Sequence, residues 1–320
     1  MFAAKRDRED RRRDEPKRRE RAATHHSLKQ ADPNALQLIK IIGEGSEGSC
    51  ELHQRIGDGK LVVCKKAHII RKNMIQGNTP REVKILRDTL RPHDRIINLI
   101  SYTFDKKCDE LHTYYDYCAG GDLQSYLYPD TGSSEAFIWH VFRQMAEALA
   151  YLHTGYARSD PNKSGKMPHS WRPVVHCDIK PDNIFLRTPR SAENLTPDIV
   201  LGDFGLAVIG GDKDGTEAAC YQPPEFPYNT PAGDVWALGA LIHRMGHGEV
   251  PVEFKMPKRY RGDDLDWLTD PCSKRVKPLP LCYSEALSRN MLDCLKLRAD
   301  ERVGAYDLLR HIRRDDLGRR

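Results

Sequence analysis

The 320-residue chain has no run of some eighteen apolar residues, the length a helix needs to cross a bilayer, so no membrane span is expected. It does not begin with the apolar region of an export signal either. Its nine cysteines, an odd number, include no Cys-x-x-Cys pair, so neither a zinc site nor a disulfide scaffold is indicated. A reducing cytosolic or nuclear compartment fits that usage. After Phe2 no large apolar side chain occurs until Leu28, while ten of the first 21 residues are Lys or Arg. Residues 1–35 therefore read as a tail that cannot offset the entropy of folding. Six acids among those first 21 residues blunt its positive field, which favours a solvated tail. The alternative is a nuclear address or nucleic-acid arm, as Lys17-Arg18-Arg19-Glu20-Arg21 would suit. Over the whole chain, tail included, 39% apolar and 30% charged residues suit a soluble chain with a substantial core.

The chain is organised around Val174–Leu186, Val-Val-His-Cys-Asp-Ile-Lys-Pro-Asp-Asn-Ile-Phe-Leu. Apolar residues at its two ends predict short buried strands around a polar loop. Inside sit His176, Asp178, Lys180, Asp182 and Asn183. Placing so many polar groups between buried anchors is costly unless they are paired. Ile199-Val200-Leu201 then leads into Asp203-Phe204-Gly205, predicting a hairpin that holds a second acid close. An acid to receive a hydroxyl proton, a cation for a phosphate, and an amide with an acid for Mg²⁺ are the parts phosphoryl transfer needs.

His176-Cys177-Asp178-Ile179-Lys180-Pro181-Asp182-Asn183 followed by Asp203-Phe204-Gly205 resembles the catalytic and magnesium loops of eukaryotic protein kinases. The fit to H-R-D-x-x-x-x-N fails only at the Arg, here Cys177. The resemblance covers residues 36–312 and implies an α+β, two-lobed fold. A small antiparallel sheet with one helix would form residues 36–118, hinge included. A mainly helical lobe would follow over 119–312, with 155–173 as a surface insertion and 313–320 as a basic stub.

Three glycines in Gly43-Glu44-Gly45-Ser46-Glu47-Gly48 would let amides approach phosphates. A Rossmann turn would open a helix, but Leu61–Cys64 reads as a return strand after a Gly57-Asp58-Gly59 turn. The glycines thus look like a kinase lid. By resemblance, Gly43, Glu44, Gly45, Ser46, Gly48 and Cys50 would line ATP, and Lys65 would hold its phosphates while pairing with Glu82. Lys66 stands beside Lys65 as the rival, and the plain reading of Glu82 is an exposed acid. Asp116 to Cys118 would offer adenine a hinge, with Tyr115 narrowing the pocket behind it. A further strand is expected at His93–Ile100, a helix opening near Asp122, and a long one over 134–153 with Ser133 or Ser134 as cap. Tyr156, Trp171 and Arg172 read as part of a loose loop or a docking point.

The resemblance makes Asp178 the base, Lys180 the γ-phosphate cation, and Asn183 and Asp203 the Mg²⁺ holders. Lys180 marks Ser/Thr-directed families, so protein Ser/Thr hydroxyls are the expected substrates. His176, Phe204 and Gly205 would be structural, with Leu86, Leu99, His176 and Phe204 as a stacked column. Glu225 of Pro-Pro-Glu would pair with Arg302, and Asp234 would anchor the catalytic loop. Cys177 cannot grip a phosphate on the activation loop, so activity is not expected to need one. Thr216 is the regulatory hydroxyl candidate, although Ala218 stands where the family places a Thr. Gly-Gly-Asp-Leu with Asp-Ile-Lys-Pro-Asp-Asn is similar to NIMA-related Ser/Thr kinases. The rivals are a pseudokinase that binds nucleotide without turnover, and a nucleic-acid-associated protein led by its tail.

Overall fold

The computed structural model describes residues 35–45, 48–69, 74–75, 79–105, 107–127, 132–156, 171–210, 221, 223–225, 229–251 and 276–317. The basic tail, Ser46, Thr216, Ala218 and most of the 155–173 insertion lie outside them. In chain order the strands are β1 (Leu36–Gly45), β2 (Gly48–Arg55), β3 (Leu61–His68), β4 (Met74–Ile75), β5 (Thr79–Pro80), β6 (Leu99–Asp105) and β7 (Glu110–Asp116). Then come β8 (Val174–Val175), β9 (Ile184–Leu186), β10 (Ile199–Leu201) and β11 (Val208–Ile209). The helices are α1 (Arg81–Val83), α2 (Glu135–Thr154), α3 (Pro231–His247), α4 (Glu285–Cys294) and α5 (Ala305–Leu317).

Two compact units result. The first takes residues up to Ile69 together with Leu99–Asp116. It is one antiparallel sheet of order β1-β2-β3-β7-β6. The β2–β3 hairpin closes as expected at Gly57-Asp58-Gly59, where Gly59 takes φ +70°, a conformation that favours glycine. Arg55 donates to Asp58 across the turn, and that guanidinium holds the Asp58 carboxyl down at about 2. One sheet face buries Val62, Cys64 and Tyr114, with Leu36 and Ile100 packed against them. β1 is an edge strand whose pairing slips between Leu38 and Lys40 and again between Ile41 and Gly43. Leu38, Ile39, Ile41 and Ile42 are exposed along it.

The second unit takes Ile70–Asn98 and everything from Tyr117 onward, so α1 is counted with it by compactness. α1 runs straight into a π-helical stretch, Lys84–Thr89, closed by the Leu90 N–H donating to the Ile85 carbonyl at 2.9 Å. The strand expected at His93–Ile100 begins only at Leu99. Asp94 and Arg95 turn the chain instead, and Ile96 makes a single bridge to Leu201. Asp122 opens only a short 3-10 turn, Leu123–Tyr126, accepting the Ser125 N–H at 2.9 Å.

α2 follows its apolar spacing. Phe137, Ile138, Val141, Phe142, Met145, Leu149 and Leu152 are all essentially inaccessible, and Gly155 at φ +72° ends the helix. Ser134 occupies the cap position without a side-chain capping bond. Better caps start the later helices. Thr230 accepts the Gly233 N–H at 3.0 Å ahead of α3, and Ser284 accepts that of Leu287 at 3.3 Å ahead of α4.

Charged side chains tie these helices together where apolar packing would not specify a partner. Arg95 reaches Glu147 of α2 at 3.2 Å and Asp198 at 2.8 Å, and Arg313 of α5 reaches the other Glu147 oxygen at 3.0 Å. Arg302, whose side chain is 0% exposed, forks onto Glu225 at 2.7 and 3.0 Å. Its remaining donors go to the carbonyls of Lys296, Ala232 and Leu297. All five guanidinium N–H groups are thus engaged.

Two stability outcomes follow. Arg302→Met leaves Glu225 without its cation, and should lower unfolding free energy by about 3 kcal/mol, since breaking a buried pair costs roughly 3–5. Urea titration measures it. His93 stacks flat on Tyr151 at 4.4 Å and accepts the Arg95 N–H through Nδ1. Burial pushes its pKa from 6.5 down to about 4. The unfolded chain therefore takes up a proton that the folded chain refuses. Stability should be full above pH 6.5 and fall as pH drops toward 4. His93→Asn keeps the acceptor and should flatten that slope in urea midpoints taken across this range. His243, which burial also holds near 4, leaves a residual slope.

Candidate active site

The polar loop is pinned at both ends by short strand pairs. β8 pairs with β11 and β9 with β10, both antiparallel, and their residues are almost wholly buried. Pro181 starts a 3-10 turn, Pro181–Asn183, that folds the Asn183 side chain back toward Asp178. Asn183 Nδ2 donates to the Asp178 carbonyl at 2.8 Å and to its carboxylate at 2.7 Å. Lys180 Nζ lies 2.9 Å from the same carboxylate oxygen. Asp178 is 7% exposed and Asn183 5%, so both are held by bonds rather than by water.

Burial by itself would pull the Lys180 pKa down, but the hydrogen bond and charge of Asp178, with the charges of Asp203 and Asp182, raise it overall. Lys180 is a secure cation with Asp203 in its field. Asp182 itself is exposed. Asp203 takes φ +56° and accepts the Gly205 N–H at 3.3 Å. The short polar side chain makes that left-handed conformation tolerable. The Gly202 N–H, donating to the Asn183 carbonyl at 2.9 Å, fastens the second acid to the loop.

Two buried groups hold the loop from beneath. His176 donates from Nε2 to the Gly202 carbonyl at 2.9 Å, accepts the Asp178 N–H at Nδ1, and meets the Phe204 ring edge-on at 4.8 Å. Asp234, in the first turn of α3, accepts the His176 N–H at 2.8 Å and the Cys177 N–H at 3.0 Å. Cys177 is thereby held at φ +66°, a costly conformation for a side chain with a Cβ. Burial pushes its thiol far up, against a partial opposing pull from Arg81.

In the first unit, Lys65 and Lys66 fall on opposite faces of β3. Lys66 is bound to Glu51 at 2.7 Å. Lys65 stands across from Cys50 on β2 and Thr113 on β7, on the Val63 face. Local packing demands Gly48. At φ +137°, a Cβ there would sit 1.8 Å from the Lys66 carbonyl oxygen. Gly43 has room for one. Glu44 is exposed, Tyr115 is buried on β7, Asp116 is exposed and Cys118 buried. Gly120 beside them tolerates no side chain, since a Cβ would lie 2.3 Å from the Thr188 carbonyl oxygen. Glu82 is buried in α1, in the second unit. So are Leu86, His176 and Phe204 of the expected column, whereas Leu99 is buried in the first.

Two contributors were not expected from the sequence. His153, in the last turn of α2, bonds the Asp234 carboxylate at 3.0 Å in a fully buried pair. A histidine at a helix end reads as a solvated partner of the helix dipole, so nothing in its pattern marks it. Arg81 is also buried, directly before Glu82, and a polar start to a short helix gave no sign of that.

Asp234→Asn tests this anchor. An amide nitrogen cannot accept, so at least one of the two loop N–H groups loses its bond in a buried setting, at about 1–3 kcal/mol each. Unfolding free energy should fall by at least about 1 kcal/mol. Hydrogen exchange at the His176 and Cys177 amides should rise by more than at distant α2 amides.

Comparison with known proteins agrees with this geometry. A family model described as the protein kinase domain matches residues 36–312. The chain is 26% identical over 303 residues to the G2-specific protein kinase nim-1 of Neurospora crassa, covering 87% of this chain and 33% of that protein. It is 28% identical over 298 residues to the G2-specific protein kinase fin1 of Schizosaccharomyces pombe, covering 86% and 38%. With the mouse serine/threonine-protein kinase Nek2 the identity is 28% over 294 residues, covering 85% and 58%. The chain spans between a third and somewhat over half the length of these relatives. With this match over most of its length, the chain belongs to the protein kinase domain family.

Proposed function

We propose that the protein is an ATP-dependent Ser/Thr protein kinase. The observation that carries this reading is the single carboxylate of Asp178, held at once by Lys180 and Asn183 within one buried loop. Kinase domains use ATP with a divalent metal. Here Mg²⁺ suits the donors present: Asn183 donates through Nδ2, which leaves its amide oxygen, and Asp203 adds a carboxylate, both hard oxygen ligands. Bound between those two residues, the ion would neutralise phosphate charge.

The rest falls to the chain's own groups. Asp178 orients a substrate Ser or Thr hydroxyl and receives its proton as the oxygen attacks the γ-phosphorus. The bond to the β,γ-bridging oxygen breaks and ADP departs. Lys180, kept cationic, offsets charge on the transferring group. Placement and charge cancellation supply the rate. The protein substrates, and a cytosolic or nuclear site of action, belong to the same proposal. A second reading, a nucleotide-binding pseudokinase, draws on Cys177, whose buried thiol offers no charge where the family pattern has an Arg.

Transfer of labelled phosphate from Mg-ATP to generic Ser/Thr proteins tests both. Asp178→Asn should lower the rate by about 10²–10⁴-fold, and Asp203→Ala should be nearly silent. Equal silence of wild type and variants, with ATP still bound, would hand the protein to the pseudokinase reading.

A further inference from the structure

The sheet of the first unit carries a second cluster of reactive side chains, on the face opposite Lys65. Glu51 lies directly across the β2–β3 ladder from Cys64, and His53 follows two residues along β2 on the same face. One ligating atom from each, a carboxylate oxygen, a ring nitrogen and the sulfur, fall within 4.8 Å of one another. Cys64 is 1% exposed, packed against Val62 and Tyr114, and the Tyr114 hydroxyl lies in hydrogen-bond contact with its sulfur, a contact the ion must displace. His53 Nε2 lies 2.9 Å from Glu51 Oε2. Its Nδ1 is buried with no hydrogen-bond partner among the described residues. A buried ring nitrogen without a partner is rare in folded proteins and asks for an explanation.

We propose that Glu51, His53 and Cys64 form a binding site for a borderline-soft divalent ion, Zn²⁺ foremost. Sulfur, imidazole and carboxylate together are the ligand set of Zn²⁺, and three protein ligands leave a fourth position open. Mg²⁺, which prefers oxygen, is the wrong ion for it. Cysteine spacing along the chain indicated no zinc site, because strand pairing rather than sequence proximity gathers these ligands.

Two further features of the site resist the ion. Burial holds the Cys64 thiol up at about 11, so binding must release its proton, and uptake should weaken as pH falls. Lys66 occupies Glu51 Oε1 at 2.7 Å, but its side chain is 34% exposed, and a flexible stem can swing the ammonium into water. Once seated, the ion clamps β2 to β3. Those strands also carry Gly48 and Lys65, so the clamp would stiffen the part of the sheet that bears them. The site stands or falls separately from the kinase assignment.

The test is a Co²⁺ titration of the reduced, metal-free full chain, followed by absorbance. A single equivalent should give an intense thiolate-to-cobalt charge-transfer band, displaced by Zn²⁺. Cys64→Ser should abolish the band. His53→Ala, at a partly exposed position that folding tolerates, should weaken Co²⁺ uptake at least about tenfold, the low end of what losing even a supporting group costs. Asn183→Ala should keep the band, separating this site from the catalytic loop. No thiolate band in the wild type, or the same band in Cys64→Ser, overturns the proposal. Should Cys64→Ser fail to fold, His53→Ala decides alone, and unchanged uptake overturns it.

Discussion

One buried carboxylate bears on everything the catalytic loop does. Asp234 brings three donors onto two oxygens: the amides of His176 and Cys177 and the ring of His153. With a negative charge only 2% exposed, each of those bonds is charge-assisted and of the stronger kind. They join the loop, the end of α2 and the start of α3 at one point. They also hold Cys177 in a backbone conformation it would not choose. Asp178 follows directly after Cys177, so its position depends on a charge two side chains away.

The same logic recurs farther out. A buried ion pair is weak evidence of stability, because desolvation opposes the attraction unless every remaining donor and acceptor is met. Arg302 meets that condition with five acceptors. Arg95 and Arg313 share Glu147 between them, one on each oxygen. Apolar faces of α2, α3 and α5 set their register by interlocking side chains. Fixed charges add to that and hold the helical unit in one register.

Much of this was legible in the chain. Glycine turns, the period-2 strands around Val63 and the period-3.6 stripe from Phe137 to Leu152 report local geometry, and local geometry follows from adjacent residues. The polar loop announced itself because so many polar groups between buried strands need one another. What could not be read was set by the third dimension. His153 is eighty-one residues from Asp234, and no spacing rule joins them. Glu51 and Cys64 are neighbours only through strand register. Leucine and isoleucine after His93 suggested a strand, but Ile96 is spent on a lone bridge to Leu201 and the chain turns instead. Lys65 is preferred to its neighbour because it shares a face with Val63, and the pleat turns Lys66 the other way, onto Glu51.

The two slips in β1 carry a consequence for how this chain can vary in length. Side chains alternate with a period of two, so one extra residue in a strand reverses the facing of everything beyond it unless a bulge leaves it unpaired. Ile39 and Ile42 are the unpaired residues. Each bulge keeps the facing of the pairs around it, so Leu36, opposite Arg55, reaches the Val62, Cys64 and Tyr114 side while Gly43 lies opposite Cys50. Loss of either residue would join the pairs that flank it into a regular ladder, with Leu36 still opposite Arg55 and on the same face. Single-residue changes in length can therefore be taken up at these two points of the edge without turning the paired side chains over.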